Sequence, residues 1–326
     1  MEYVKLGNTG LDVSRICLGT MSFGDPNNWF HKWVLEEDES RPIIKRALEL
    51  GINFFDTANV YSLGRSEEIL GQALKDYARR DEIVLATKVH QKMFDGPNGQ
   101  GLSRKAIMAQ VDQSLQRLQT DYVDLYIIHR WDYNTPIEET MEALHDVVKA
   151  GKARYIGASA MYAYQFQKAN NIAEKHGWTK FVSMQNHLNL IYREEEREMI
   201  PYCLDQKIAL TPYSPLASGR LVKPASENTL RQKTDEVQRS KYDDTAEKDQ
   251  VIIDRVAELA VKHGVSRVHV ALAWLLQKQN LAAPIVGATK LSHVETAVEA
   301  VSFVLSSDEV DYLEEPYVPH AVVGHN

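Results

Sequence analysis

Residues 123–159 read VDLYIIHRWDYNTPIEETMEALHDVVKAGKARYIGAS, and the alternation inside this stretch decides the fold class. Val123 to His129 form a nearly continuous apolar run, the mark of a strand buried on both faces. Pro136 suits a first helical position after Thr135. Ile137, Met141, Leu144 and Val148 make one apolar stripe over 136–150, and Gly151 stops it. Arg154 to Ser159 then form a second apolar run. A strand, a helix and a strand in that order predict a βαβ unit with parallel strands.

The same rhythm extends in both directions. Apolar runs stand at 16–19, 52–56, 83–88, 123–129, 154–159, 181–185, 208–213 and 284–287. Helical patterns lie between and after them, at 37–50, 65–79, 103–118, 136–150, 162–176, 193–205, 250–263 with 266–279, and 290–304; Gly51, Gly177 and Gly264 make endings like that at Gly151. Eight strand-then-helix units predict an α/β fold, a parallel (β/α)8 TIM barrel, which typically needs ~250 residues. A doubly wound sheet with a helical extension is the alternative, but it does not account for eight regular units. Ahead of the units, YVKLGNTGLDVSRI predicts a β-hairpin turning at Gly7-Asn8-Thr9-Gly10. No linker rich in Pro, Gly or Ser interrupts the chain, so residues 1–326 read as one barrel domain. Long connections at 20–35, 89–102, 130–135 and 214–249 leave the face where barrels place their sites. The last is rich in charge and reads either as a solvated excursion or as a binding loop.

Composition narrows the function. The 326 residues are 44% hydrophobic and 25% charged, ordinary for a globular chain that needs no staples. A net charge of −8 without a basic face argues against a nucleic-acid partner. Cys17 and Cys203 are far apart and outside any CxxC, so no structural disulfide is expected and the compartment reads as reducing. The N-terminus lacks a signal-peptide layout and no apolar stretch approaches the ~20 residues of a membrane helix. Cytoplasmic location without membrane association is the expectation.

In a parallel barrel the strand ends converge on one mouth, and reactive residues sit there. Those ends are Asp56, Lys88, His129, Ser159, Gln185 and Tyr213, with Tyr61 five residues beyond Asp56. Each has a bland reading as an ion pair, a strand cap or a satisfied core histidine. Three ionisable ends in one barrel favour a site over three such coincidences.

Taken in order, GINFFDTANVY, IVLATK, VDLYIIH, RYIGAS, VSMQ, TPYSPLASGRL and PIVGATK resemble the aldo-keto reductase family over nearly the whole chain, most closely its bacterial and fungal branch with HRWD and GKARYIGAS strings. The resemblance implies a catalytic tetrad of Asp56, Tyr61, Lys88 and His129 and NADPH-dependent reduction of a small carbonyl compound. The residue types suit that chemistry. A phenol with a reference pKa of about 10 is a poor acid, and a nearby ammonium held by a carboxylate would stabilise its anion. Tyr61 would donate the proton and His129 would orient the carbonyl oxygen.

By the same resemblance Ser159 and Gln185 would bond the nicotinamide carboxamide and Tyr213 would stack beneath the ring. Gly19, Thr20 and Met21 would lie beside the cofactor, and Asp56 would adjoin it. Ser214, Leu216, Ser218, Gly219 and Arg220 would strap the pyrophosphate; Gly287, Ala288, Thr289, Lys290 and His293 would surround the adenosine phosphate. Ala160 departs from the Asn of many members, and His293 and Ala297 depart from their Arg or Gln and Asn. Trp29, Met93 and Trp131 are candidate pocket walls, with Trp131 ahead because it follows His129 closely. Arg130 reads first as an ion-pair partner of Asp132 and second as a contact for an anionic substrate. Monomer is the family default.

Two other functions compete. A metal-dependent hydrolase on the same barrel would want HxH or HExxH, and neither occurs. A nicotinamide-binding regulatory subunit resembling potassium-channel β subunits is the other; the complete tetrad and a start directly at the hairpin speak for the enzyme. The absence of GxGxxG removes support for a Rossmann nucleotide site.

Overall fold

A computed structural model describes residues 1–223 and 230–325, with the main chain alone at 232 and 233. The hairpin forms as expected: β1 (Tyr3–Lys5) pairs antiparallel with β2 (Asp12–Ser14), Tyr3 facing Ser14. Eight parallel strands follow, β3 (Cys17–Gly19), β4 (Phe54–Asp56), β5 (Val84–Val89), β6 (Val123–Ile128), β7 (Ala153–Ser159), β8 (Phe181–Gln185), β9 (Ala209–Leu210) and β10 (Ile285–Gly287). They run in the order β10-β3-β4-β5-β6-β7-β8-β9. The remaining seam closes through main-chain bonds from Ala282 N to Leu210 O and from Ile285 N to Pro212 O, both 2.9 Å. This is a (β/α)8 barrel. The expected strand at 208–213 shortens to two residues because Pro212 has no N–H for the ladder. Single bonds from Thr211 N to Met184 O and from Tyr213 N to Asn186 O continue the alignment.

The helices are α1 (Glu37–Glu49), α2 (Arg65–Tyr77), α3 (Arg104–Leu118), α4 (Ile137–Lys149), α5 (Ala163–His176), α6 (Met199–Asp205), α7 (Leu230–Thr234), α8 (Glu236–Tyr242), α9 (Ala246–His263), α10 (Arg267–Leu276), α11 (Leu291–Glu299) and α12 (Ser307–Glu314). Three differ from expectation. The helix expected over 193–205 is only α6, because Pro201 cannot bond back along a continuous helix and is tolerated only in a first turn. The charged connection 214–249, apart from 224–229, which lie outside the described residues, folds into α7 and α8. The C-terminal α12 was not anticipated, although Ser306 and Glu309 form a capping box.

Side chains alternate across each strand, and this alternation builds two layers. Phe54, Val84, Ala86, Leu125, Ile127 and Ile285 fill the barrel, joined at one end by Leu6 and Val13 of the hairpin. Phe55, Leu85, Val89, Tyr126, Ile128 and Met184 point outward into the helical shell. Gly7 lets the hairpin dock: its φ is +58°, and a Cβ there would meet Ala209 N at 2.7 Å and Lys207 O at 2.8 Å. Among the described residues, no helix is long and apolar enough to cross a membrane.

Candidate active site

Extending the interior rows by one step reaches the site. Phe54 leads to Asp56, Ala86 to Lys88, Ile127 to His129, Gly157 to Ser159 and Ser183 to Gln185. The register sets these ends side by side, Gly19 against Asp56 and Ser159 against Gln185. Lys88 is fully buried and its Nζ lies 2.5 Å from Asp56 Oδ1, 2.7 Å from the carbonyl oxygen of Thr57 and 3.3 Å from Tyr61 Oη. Gln185 Nε2 donates to the other carboxylate oxygen at 2.9 Å. Burial pulls the Lys88 ammonium down, but Asp56 and Tyr61 together outweigh it and leave its pKa above the usual value. A buried pair of this kind is stable only as a pair, so each group fixes the other's charge.

Tyr61 reaches Lys88 because a strained turn aims it. Ser62, Leu63 and Gly64 follow with φ of 49°, 52° and 98°. Left-handed non-glycine residues cost of order 1–3 kcal/mol each and persist where their surroundings over-determine them. Here Ser62 Oγ accepts from Asp25 N at 2.8 Å, and a Cβ on Gly24 would meet Ser62 Cβ at 2.4 Å. Behind the turn, Thr87 Oγ1 donates to buried Glu67 at 2.5 Å and Arg117 pairs with the same carboxylate at 2.6 Å, tying α2 to β5 beside Lys88. Desolvation raises the Tyr61 pKa, against the opposing pull of Lys88. The phenol therefore stays protonated at neutral pH.

His129 stands with its ring 5.8 Å from that of Tyr61 at 80°, and its Nδ1 is buried without a partner. Burial, then Lys88, Arg130, His90 and Lys241, push its pKa well below the usual value. It is a neutral imidazole with one N–H to offer. Of the candidate walls, Trp29 packs beside Tyr61 at 6.2 Å and 49°, and Trp131 packs against the main core instead.

The reading of Arg130 is corrected. It forms no ion pair with Asp132; its Nη1 donates to His129 O at 2.7 Å. Asp132 is saturated by Leu102 N at 2.8 Å, Asn134 N at 2.9 Å and Thr135 Oγ1 at 2.7 Å.

The other expected contacts fall around this centre. Ser159 Oγ donates to Gln185 O at 2.8 Å, and the Gln185 amide nitrogen is taken by Asp56, so Gln185 Oε1 remains for a ligand. Tyr213 stacks on His187 at 5.0 Å, with its buried hydroxyl unpartnered. Thr20 is fully buried and its hydroxyl serves Asp56 O and Ser66, whereas Met21 joins the cluster around Trp29. Ser214 and Ser218 have φ of 54° and 56°, Gly219 has 100°, and Leu216 is half-buried beneath them. Arg220 pairs with Asp243, and its Nε is buried without a partner. At β10, Ala288 O accepts from Ser22 Oγ at 2.8 Å and Gly287 opens to free space. Lys290 precedes α11, exposed and without an ion pair among the described residues, and His293 Nδ1 accepts from Thr289 N at 3.3 Å. Ala160 takes φ 43°, a conformation that suits Asn better than Ala, and Ala297 is buried in the core face of α11. The open edge at Gly287, the free amide oxygen of Gln185 and the orphaned hydroxyl of Tyr213 fit an extended dinucleotide across the mouth.

Lys241 had no place in the sequence reading. It sits on α8 with Nζ 4.7 Å above the Tyr213 ring. Its neighbour Tyr242 is fully buried, bonded by its hydroxyl to His187 at 2.7 Å and Asn189 at 3.1 Å. Arg231 of α7 covers Trp33 at 4.2 Å and pairs with buried Asp235 at 3.0 Å. The charge of this segment hid it, since Asp235, Gln238 and Tyr242 turn inward.

A barrel whose mouth holds a lysine–carboxylate pair beneath a phenol, with a neutral imidazole opposite, defines an oxidoreductase that handles carbonyl groups. The model of the Aldo/keto reductase family matches residues 15–317, and the chain belongs to that family. It is 48% identical, over 99% of its length and 98% of the relative's, to versiconal hemiacetal acetate reductase of Aspergillus parasiticus. Aldo-keto reductases of Fusarium vanettenii and Alternaria alternata are 44% and 42% identical over 100% and 99% of this chain and 94% of each relative.

Proposed function

We propose that the protein reduces aldehydes or ketones to alcohols with NADPH, with Tyr61 as the proton donor. The observation that carries this is Lys88 Nζ lying between Asp56 Oδ1 and Tyr61 Oη at 2.5 and 3.3 Å. When bound, the nicotinamide supplies the hydride. Tyr61 gives its proton to the developing alkoxide, Lys88 stabilises the phenolate left behind, and Asp56 keeps Lys88 charged and directed. His129 donates a hydrogen bond to the carbonyl oxygen and Trp29 supplies an apolar wall. Ser159 and Gln185 orient the carboxamide and Tyr213 supports the ring. Lys290, and His293 through its second nitrogen, meet the ribose phosphate that separates NADPH from NADH.

The hemiacetal named for the Aspergillus relative is a masked carbonyl and suits the same chemistry. Sugars and sugar phosphates are further candidate substrates. Buried, unbridged Cys17 and Cys203 are compatible with a cytoplasmic monomer in a reducing compartment.

The test is NADPH consumption across a panel of aldehydes and ketoses, repeated with Tyr61→Phe. The substitution removes only the hydroxyl, so the melting temperature and NADPH binding stay near wild type and the rate falls roughly 10²–10⁴-fold. A variant that keeps wild-type turnover removes Tyr61 from the mechanism. A wild-type protein that completes at most one slow oxidation is a cofactor-binding regulator instead.

A further inference from the structure

Two cations at the mouth, Arg130 and Lys241, form no ion pair among the described residues. The Arg130 guanidinium is bonded to a main-chain oxygen, and Asp132 beside it is committed elsewhere. Lys241, half-buried on α8, lies over the Tyr213 ring and forms no ion pair among the described residues. Asp235, whose charge acts on it, is held by Arg231 Nε and Gln238 N, both at 3.0 Å. Arg130 and Lys241 both lie near Tyr213. A Cβ placed on Gly324 would lie 3.5 Å from Tyr213 Oη and 3.9 Å from Arg130 Nη2, so the guanidinium and the phenol border the same space. Desolvation, then Arg130, push Lys241 down to about 7 against the weaker pull of Asp235. Placing like charges together away from water costs free energy that an arriving anion returns. A cation–π contact with Tyr213 offsets part of that cost for Lys241 and none of it for Arg130.

We propose that Arg130 and Lys241 grip an anionic oxygen group, a carboxylate or a phosphate, on the carbonyl substrate. This rests on the reductase reading above and adds the substrate's charge to it. The carbonyl would meet Tyr61 and His129 while the anionic end lies at the Tyr213 side, where a planar guanidinium offers two parallel donors. The selectivity would then come from α8, a segment outside the barrel strands.

The test compares kcat/KM for 4-formylbenzoate and 4-formylphenyl phosphate with that for uncharged 4-methylbenzaldehyde at saturating NADPH. Wild type should prefer one of the charged aldehydes, and the preferred one assigns the group. Lys241→Met and Arg130→Gln should each lower that preference by roughly tenfold to a hundredfold, mainly through KM. Lys241→Arg should keep most of it. The NADPH dissociation constant, read by fluorescence, should change by less than the preference for the charged aldehyde does. A matching rise in that constant would mean that the cations serve the cofactor's diphosphate, and an equal loss for charged and neutral aldehydes would mean that they only shape the mouth; either overturns the proposal. Calorimetric titration with benzoate and phenyl phosphate reads the same cations without turnover. Binding that weakens in Lys241→Met supports the anion site even if no aldehyde is reduced, and no binding of either anion to wild type overturns it. Failure of turnover alone therefore counts against the reductase reading and not against this one.

Discussion

The two ends of the barrel obey different rules. At the closed end, Leu6 and Val13 cap a stack of Cys17, Phe54, Val84, Leu125 and Ile285, all apolar and buried. At the mouth the same strands end in ionisable groups, and Ser62, Leu63, Ala160, Ser214 and Ser218 take left-handed conformations. His129 Nδ1 and Tyr213 Oη are buried there without partners. One end is built as close packing dictates, and the other holds strain and unmet hydrogen bonds that the packed end makes tolerable. The difference marks the mouth as the candidate site without reference to any relative.

The comparison can be broken most forcefully at Lys88. Lys88→Met should lower kcat/KM by more than ~10²-fold, and it should also cost about 3–5 kcal/mol of stability because Asp56 is left buried and unpaired. Adding Asp56→Asn should recover stability, measured by the denaturation midpoint, without recovering activity. If the double variant stayed as unstable as the single one, the pair would not be the source of the cost.

At the closed end the outcome should invert. Leu6→Ala removes a fully buried side chain of the plug and should cost about 2–5 kcal/mol, with kcat unchanged below the melting temperature. A kcat that fell along with stability would show that the two ends are mechanically coupled.

The smallest effect sharpens the picture of the mouth's far rim. Lys290 is a cation at a helix N-terminus, where the dipole favours anions, and it has no acidic partner among the described residues. Lys290→Ala should weaken NADPH binding by roughly tenfold to a hundredfold and leave NADH binding alone. An equal loss for both cofactors would move the phosphate to His293 or Arg220.

The eight strand–helix units and the polar residues at the strand ends were legible because each depends on short-range pattern. Apolar runs announce buried strands, a period of two carries the row inward, and the first polar residue at the end of that row lands at the mouth. Asp56, Lys88 and His129 needed nothing more. Other features carried a local signal that went unused, such as Pro201 dividing 193–205 and the Ser306–Glu309 box that starts α12.

What tertiary structure alone decided is where long-range partners had to be known. The turn after Tyr61 is set by Asp25 and Gly24, more than thirty residues earlier in the chain. Trp29 rather than Trp131 meets the phenol because the loop from β3 folds back over the mouth. Arg130 forms no ion pair with Asp132, whose carboxylate accepts from three other donors. Lys241, in a segment whose charge density reads as solvated, is brought over Tyr213 by the docking of Tyr242 on His187 and Asn189. A sequence records which groups are charged. Whether a charge meets water, a counter-ion or an empty place depends on atoms far along the chain, and folding alone sets those distances.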